Sequence, residues 1–329
     1  CIGNMSGSAT VDNYPLPAVH AVTGGGNYCP GTTGVHIGLD GSDAGVNYAL
    51  YHGTSIAGPL VAGTGSTLDF GLLTAPGSYM VVASDAATSC GDSMIGSVSI
   101  ALNAQPTNYF VTGGGHYCDG DAGPHVSLSG SEPGVTYQLF HSGSIVGGTV
   151  TGTGTSIDFG SQSDEGTYTV VATSTALCTR PMSGGATINI NPTPTPFIVT
   201  GGGAYCAGGS GLHVRLDGSN TGINYQLLLG GSPTGLPVTG SGTTIDFGPQ
   251  TGTGYYTATA TNSITGCSAN MTGVVSVGIN TPPVVYDISG TGSSYCQGGL
   301  GIEMILSGSD IGIAYQLYNG TTPAGSPVA

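Results

Sequence analysis

The sequence predicts an all-β chain built as a tandem array of one small domain. Three observations carry this reading. First, the segment Val111-Thr112-Gly113-Gly114-Gly115-His116-Tyr117-Cys118 recurs at 22–29 and 199–206, with a looser copy at 288–296. The cysteines that close these four segments are spaced by 89, 88 and 90 residues. A fixed period of that size is too long for a solenoid turn and suits a whole small β domain. Second, Val, Ile, Tyr, Phe and Thr fall in short alternating runs between clusters of Gly, Ser, Asn and Pro, the pattern of many short strands. Third, no window keeps apolar residues at helical spacing.

Composition narrows the class of function. The chain has 329 residues, 62 of them glycine, without a Gly-X-Y period, which excludes a collagen helix. Hydrophobic residues make up 38%, close to a globular norm, which argues against disorder. Only 6% of residues are charged, against roughly 25–35% on a usual soluble surface. Lysine is absent, Arg180 and Arg215 are the only strong cations, and the formal net charge is −15. Nucleic acid is excluded as a partner because nothing replaces phosphate counterions, and anionic membranes are disfavoured on the same ground. A surface of Thr, Ser, Gly and Asn needs a cover, either sugars on its hydroxyls or neighbouring subunits. No apolar run approaches the roughly 20 residues of a membrane span. No signal peptide is visible, and the opening on Cys1 is what a piece of a longer, processed polypeptide would show. Repeated cysteines without metal-type spacing point to an oxidising, extracellular compartment.

The period divides the chain into a C-terminal strand of one repeat at 1–17, full repeats at 18–105, 106–193 and 194–282, and an N-terminal half at 283–329. A second motif supports the division: Cys1, Cys90, Cys178 and Cys267 are each followed four positions later by a methionine (Met5, Met94, Met182, Met271). Prolines cluster at the expected junctions: Pro15 and Pro17, Pro106, Pro192 to Pro196, and Pro282-Pro283. They lack the donor that a central strand needs and read as stiff, extended connections.

In the second repeat, strands are expected at 109–112, 125–129, 135–140, 146–151, 155–159, 167–173 and 186–190. Period-two alternation turns Val126, Leu128, Val135, Tyr137, Leu139, Ile157, Phe159, Tyr168, Val170 and Ala172 inward and Asp158 outward. Seven short strands in about 88 residues is the pattern of an immunoglobulin-like β-sandwich. The segment 164–172, Asp-Glu-Gly-Thr-Tyr-Thr-Val-Val-Ala, resembles the Asp-x-Gly-x-Tyr-x-Cys-x-Ala signature of immunoglobulin domains. That resemblance implies a tyrosine hydroxyl that ties the corner between the fifth and sixth strands to backbone. The other repeats keep Gly77/Tyr79 and Gly254/Tyr256 without the acid. Val170 replaces the inter-sheet cysteine, and Tyr137 takes the core place of the absent tryptophan.

Each repeat therefore has one cysteine before its second strand and one after its penultimate strand, which in immunoglobulin topology lie at opposite ends. Cys178 follows Tyr168 by ten residues, roughly 33 Å if extended, whereas a disulfide needs Cα atoms within about 7 Å. Two pairings stay open. One is in-domain, Cys29–Cys90, Cys118–Cys178 and Cys206–Cys267, with one arm folded back. The other staples one domain to the next, Cys29–Cys178 and Cys118–Cys267.

Chemistry-bearing residues are sparse. His36, His125 and His213 recur at one outward strand position, with Glu303 in the fourth copy, and one imidazole per domain is a poor metal site. Outward Asp69, Asp158 and Asp246, with loop acids Asp40, Asp43, Asp119 and Asp121, are candidate calcium ligands. Asp119-Gly120-Asp121 is the best of these, and no other cofactor is expected. The glycine triplets lack the Lys-Ser/Thr and the helix of a phosphate loop and read as a bulged or bent edge strand. No nucleophile–base constellation recurs, so an enzyme is not expected. Lysine-dependent isopeptide cross-links are impossible in this sequence. Asn4, Asn270 and Asn319 head Asn-x-Ser/Thr acceptors, the first two at equivalent positions. Asp92-Ser93-Met94 resembles the Asp-Ser/Thr-apolar O-glycosylation acceptor of Bacteroidota, which makes Ser93 a further candidate.

The Tyr-Cys-x-Gly segments and the Gly-x-Tyr-x-x-x-Ala segments together resemble the tandem immunoglobulin-like repeats of large Bacteroidota surface proteins, including adhesins, cell-surface filaments and type IX secretion cargo. The resemblance spans essentially the whole chain and implies an extracellular structural or adhesive role. The expectation is a fibre or stalk of stacked, disulfide-stabilised, glycosylated domains that associate with further copies or repeats. The alternative is a surface adhesin gripping host carbohydrate or protein through loops that differ between repeats, such as 30–34 and 119–123.

Overall fold

The computed structural model describes residue 2 and residues 6–329. Among these residues every regular element is a strand, and no helix is long and apolar enough to cross a membrane. The chain divides into two compact units, 1–190 and 191–329. The first holds two copies of one two-sheet arrangement, and the second holds one copy followed by residues 283–329. The chain is an array of immunoglobulin-like β-sandwiches.

The middle copy defines the pattern. Its strands are β1 (Val111–Gly113), β2 (Gly115–Cys118), β3 (His125–Leu128), β4 (Thr136–His141), β5 (Ser144–Thr151), β6 (Ile157–Ser161), β7 (Gly166–Thr173), β8 (Thr179–Pro181) and β9 (Ala186–Asn191). One sheet has the order β1-β3-β6; the other runs β2-β9-β7-β4-β5, with β8 beside β7. Alternation places Val126 and Leu128 of the first sheet against Tyr137, Leu139, Tyr168, Val170 and Ile188 of the second, each at most 2% exposed. Tyr137 does occupy the centre of the core. Equivalent clusters form around Tyr48 and Tyr79 in the first repeat and around Tyr225 and Tyr256 in the third.

The expected bent first strand is two strands in different sheets. Val111–Gly113 pairs antiparallel with β3, and Gly115–Cys118 crosses to lie beside β9. In the first and third repeats the crossed segment runs parallel to the last strand, Gly26 facing Ile100 and Gly203 facing Val277. Gly114 makes the step at φ 73°, and a Cβ there would lie 2.5 Å from the carbonyl oxygen of Thr187. Only glycine satisfies both the dihedral and the close approach. The short strand β8 after the second cysteine was not expected from alternation, because three residues are too few to show a period.

Polar side chains close the remaining backbone groups, and the same ones recur. The tyrosine corner forms in all three copies: the hydroxyls of Tyr79, Tyr168 and Tyr256 donate to the carbonyls of Ala75, Asp164 and Gly252 at 2.8, 3.2 and 2.8 Å. Buried Ser42, Ser131 and Ser219 donate to the carbonyls of Ser66, Thr155 and Thr243. Gln138 sits where the β4–β5 ladder slips register, and its amide donates to the carbonyls of Leu139 and Val146 at 3.0 Å each. Gln226 and Gln316 repeat this. The first repeat has Ala49 at the same place, and there the partner strand breaks into Ser55–Ile56 and Val61–Ala62. A side-chain donor at the slip keeps that strand continuous.

In 283–329 the strands Ile288–Gly290, Met304–Leu306, Tyr315–Asn319 and Thr322–Val328 form two hairpins. Met304 and Leu306 are 49% and 37% exposed, whereas their equivalents Val126 and Leu128 are fully covered in the second repeat.

Replacing Gln138 with Ala leaves the carbonyls at the slip without their donor. The second repeat should lose about 1–3 kcal/mol of stability in denaturant titration, with faster amide exchange across 147–151. An unchanged midpoint and exchange pattern would remove the role assigned to this glutamine.

Candidate functional site

The residues with most to position are at the two poles of each sandwich. The exit pole is where the last strand leaves. There the crossed strand Gly26–Tyr28 lies beside Val98–Leu102, and Tyr28 accepts from the Asn103 amide at 2.9 Å. Cys29 is therefore carried to the start of the linker. Tyr28, Tyr117 and Tyr205 anchor this end by donating to the carbonyls of Thr74, Ser163 and Thr251.

The entry pole is where the chain enters the next sandwich. Cys178 leads into β8, whose register with β7 (Ala172 with Arg180, Thr173 with Thr179) holds it at this end. In the three Cys-x-x-x-Met motifs that lie among the described residues, the methionine is buried beside it. Met94, Met182 and Met271 are 5–6% exposed, and their sulfurs accept the backbone N–H of His20, Tyr109 and Phe197 at 3.3–3.5 Å. The motif is a seat for the entering strand. The aromatic ring of Tyr109 covers Gly130, where a Cβ would lie 2.5 Å from the ring.

Cys29 and Cys178 are joined by a disulfide with Cα atoms 5.4 Å apart and 149 residues between them in sequence. This corrects the in-domain alternative. Cys90 is a free thiol, so Cys29–Cys90 does not form, and Cys178 is not available to Cys118. Cys206 is free while Cys267 is disulfide-bonded, so Cys206–Cys267 does not form either. Cys118 is also disulfide-bonded. The reason is positional: the two cysteines of one repeat lie at its opposite poles, and the exit pole of the first repeat meets the entry pole of the second. By loop-closure entropy a bridge over so long a span contributes on the order of 4–5 kcal/mol.

The linker between the first two repeats is held on several sides. Arg180 donates to the Pro106 carbonyl at 3.1 Å. Thr107 donates from both its amide, at 2.8 Å, and its hydroxyl to the Glu132 carboxylate. Asn108 reaches the Ser183 hydroxyl at 2.5 Å. The carboxylate clamp recurs: Asp43, Asn220 and Asp310 accept the amides of Ala18, Thr195 and Val284 at 2.8–2.9 Å. The Thr107 hydroxyl, then its amide, hold the Glu132 carboxyl below the usual range.

The histidines and outward aspartates, expected as separate features, are brought together. His36, His125 and His213 each place Nδ1 2.8 Å from Asp69, Asp158 and Asp246 on the three-stranded sheet. Backbone donation from Gly71 and Gly160, then the histidine, lowers the pKa of Asp69 and Asp158. At Asp246 burial opposes the shift, and His213, Gly248 and Arg215 outweigh it. The spacing of 33 residues between partners hides the pair from any local pattern, although both members recur once per repeat. Ser127 lies 3.5 Å from the Asp158 carboxylate rather than against the imidazole, so the trio is not arranged as a nucleophile and its base. Exposed pairs of this kind are screened by solvent and contribute little to stability.

Asp119 and Asp121 lie on an exposed turn. Asp40 and Asp43 are engaged by the amides of Ala21 and Ala18. Among the described residues no group of three or more His, Cys, Asp or Glu side chains converges as a metal site. Asn270, Asn319 and Ser93 are exposed on strands, at Ser268–Asn270, Tyr315–Asn319 and Gly91–Ser93. Asn4 lies outside the described residues.

No family model matches the sequence, and no curated protein matches it. Several solved structures of multidomain chains align with it at low identity. A bacterial 1.5-MDa ice-binding adhesin involved in host cell surface retention is 12% identical, covering 81% of this chain and 100% of that one, at a TM-score of 0.34. The mouse nectin-like molecule 4 ectodomain is 13% identical, covering 83% and 98%, at 0.32. The fibronectin(III)-like modules of Clostridium thermocellum CbhA are 12% identical, covering 52% and 95%, at 0.30. At these identities the likeness is one of fold.

The sign of the Glu132 shift fixes a pH dependence. Its folded pKa is depressed, so its contribution is present above the unfolded carboxylate value, about 4.3, and is lost as pH falls through the lower folded value. Cleavage of the linker at 103–108 by an acid-stable protease should rise as pH falls through that window. Glu132→Gln, which matches the amide at Asn220, should flatten the dependence while keeping the linker protected at neutral pH. A profile identical for both proteins would remove the clamp.

Proposed function

We propose that this chain is a structural segment of an extracellular fibre or stalk, in which each sandwich is tied to the next at its poles. The observation that carries the reading is the Cys29–Cys178 bridge beside a linker held by Arg180, Thr107 and Glu132. A ligand-binding module needs free polar groups converging on a concavity. Here the recurring polar side chains are spent on backbone groups or on each other. Disulfides persist in oxidising compartments, which favours secretion or display at a cell surface. The reading needs neither catalysis nor a cofactor, calcium included. Glycans on Asn270, Asn319 or Ser93 would supply the solvation that a surface with 6% charged residues lacks. Self-association with further repeats or copies would shield more of it.

The rival role is an adhesin using the loops that differ between repeats. Electron microscopy of native material with intact-mass measurement separates the two. Rods or filaments carrying added hexose mass support the fibre. Unassociated short chains that bind a glycan array support the adhesin.

Replacing Cys29 with Ser removes the bridge and leaves each core intact. Proteolytic cleavage at 103–108 should accelerate severalfold without a change in the far-ultraviolet spectrum. Equal rates with and without the bridge would mean that it carries no mechanical constraint.

A further inference from the structure

The larger sheet of the second repeat ends on one side at β5, Ser144–Thr151. Its sequence, Ser-Ile-Val-Gly-Gly-Thr-Val-Thr, carries neither proline nor charge. The equivalent edges are guarded by proline. Ser232–Thr239 holds Pro233 and Pro237, and Thr322–Val328 holds Pro323 and Pro327. In the first repeat Pro59 stands between Ser55–Ile56 and Val61–Ala62. Pro233 lies opposite Leu228 in its ladder and has no N–H to give it, so its nitrogen faces the open side of the strand. Ile145 lies opposite Phe140 in the same register, and its N–H therefore points away from the sheet. Its side chain is 67% exposed. Thr149 takes the place of Pro237. The register slip that turns part of an edge aside recurs in the third repeat and in 283–329. Proline is the guard that the second repeat lacks.

We propose that Ser144–Thr151 is a docking edge at which a second copy of this chain pairs through the same strand, antiparallel about a two-fold axis. The inference rests on the fibre reading and places its self-association on one strand. A strand added to this edge has to bring a bare edge of its own, because each backbone group that leaves water needs a partner. The other edges of the second repeat are Val111–Gly113, Gly115–Cys118 and Ile157–Ser161; all are shorter, and the last carries Asp158. The long edges Ser232–Thr239 and Thr322–Val328 are blocked by their prolines. Among the described residues, the strand that matches Ser144–Thr151 in length and in open donors is Ser144–Thr151 itself. A surface that pairs with itself closes as a two-fold dimer. Charge favours the same contact. Copies that each carry a formal charge of −15 repel one another, and this strand brings no carboxylate of its own. Eight residues a side fall short of the roughly 1,000 Å² that a stable interface needs. One pairing is therefore weak, and it gains weight where chains already lie side by side. Proline on the neighbouring repeats keeps the pairing from spreading along the array.

The test is sedimentation of the full chain, disulfides intact, over a rising concentration series at low and moderate salt. A reversible dimer should form and should tighten as salt screens the net charge. Hydrogen exchange should show the Ile145 amide and its neighbours gaining protection with concentration. Ile145→Pro, alone and with Thr149→Pro, copies what the third repeat already carries in the same fold. It should weaken the dimer about tenfold or more, since the two-fold axis removes each donor twice, with an unchanged circular dichroism spectrum. Pro233→Ile with Pro237→Thr should open a second edge and shift the population toward species larger than the dimer. A chain that stays monomeric at every concentration, a dimer unmoved by Ile145→Pro, or protection that maps to another edge overturns the proposal. Single rods that never pair in the microscope would overturn the docking edge and leave the fibre. Dimers that depend on Ile145, in material that forms no rods, would overturn the fibre and leave the docking edge.

Discussion

The structure of each repeat depends on the crossing of its first strand from one sheet to the other at the glycine triplet. An antiparallel sandwich could be built without it. With it, the segment after the glycines runs parallel to the last strand and finishes where that strand finishes, Tyr28 opposite Leu102 and Cys206 opposite Asn280. The cysteine is thereby delivered to the pole from which the chain departs. The crossing also pairs the outer edge of the last strand, which would otherwise be a template for uncontrolled pairing. Gly114 bears the steric cost, because any side chain there would collide with the Thr187 carbonyl.

With almost no charge available, the chain satisfies its backbone through neutral side chains. Ser131, Gln138, Tyr168 and the sulfur of Met182 each take one or two backbone groups; the third repeat holds equivalents of all four, and the first of all but the glutamine. An unsatisfied buried donor or acceptor costs about 1–3 kcal/mol, so a few such residues rival the linkage across the repeats in weight. Charged side chains recur at equivalent places in two roles: the residues that hold the linkers, and the His–Asp pairs on the exposed three-stranded sheet. Both are local contacts, and neither sets up a field for recruiting a charged ligand.

The architecture was legible because alternation and period are properties of a linear string. Tyr137 at the core follows from alternation, whereas the corner formed by Tyr168 and the placing of the cysteines at opposite poles follow from the resemblance to immunoglobulin domains. The pairing of Cys29 was legible only as one of two options, since choosing between them requires knowing which poles meet. Three contacts escaped the sequence reading for the same reason. His125 with Asp158, Glu132 with Thr107 and Met182 with Tyr109 join residues 25 to 73 apart, on segments that become neighbours only once the sandwich has formed. The Cys-x-x-x-Met motif was visible as a pattern and silent about its purpose. Its methionine acts on the incoming strand, far upstream in sequence. The glycine triplet was read as a bend in one strand, because a change of sheet leaves no mark on alternation three residues long.

The first repeat shows how much variation this scheme tolerates. Ala49 replaces the glutamine of the other copies, and the strand opposite breaks in two, yet Tyr48, Leu50, Tyr79 and Val81 stay at most 2% exposed. His20 stands where the other copies have Tyr109, Phe197 and Tyr286, and it still covers the equivalent glycine, Gly41. The poles vary less. The clamp residue changes between Asp, Glu and Asn while keeping an oxygen on the linker amide, and the cysteine keeps its turn. An edge strand can fray without disturbing its neighbours in the array. A pole must fit a partner that presents the opposite surface, so a change there has to be matched on the other side. The tolerance follows position: the interior has only to fill space, whereas the exit pole of the first repeat and the entry pole of the second have to meet.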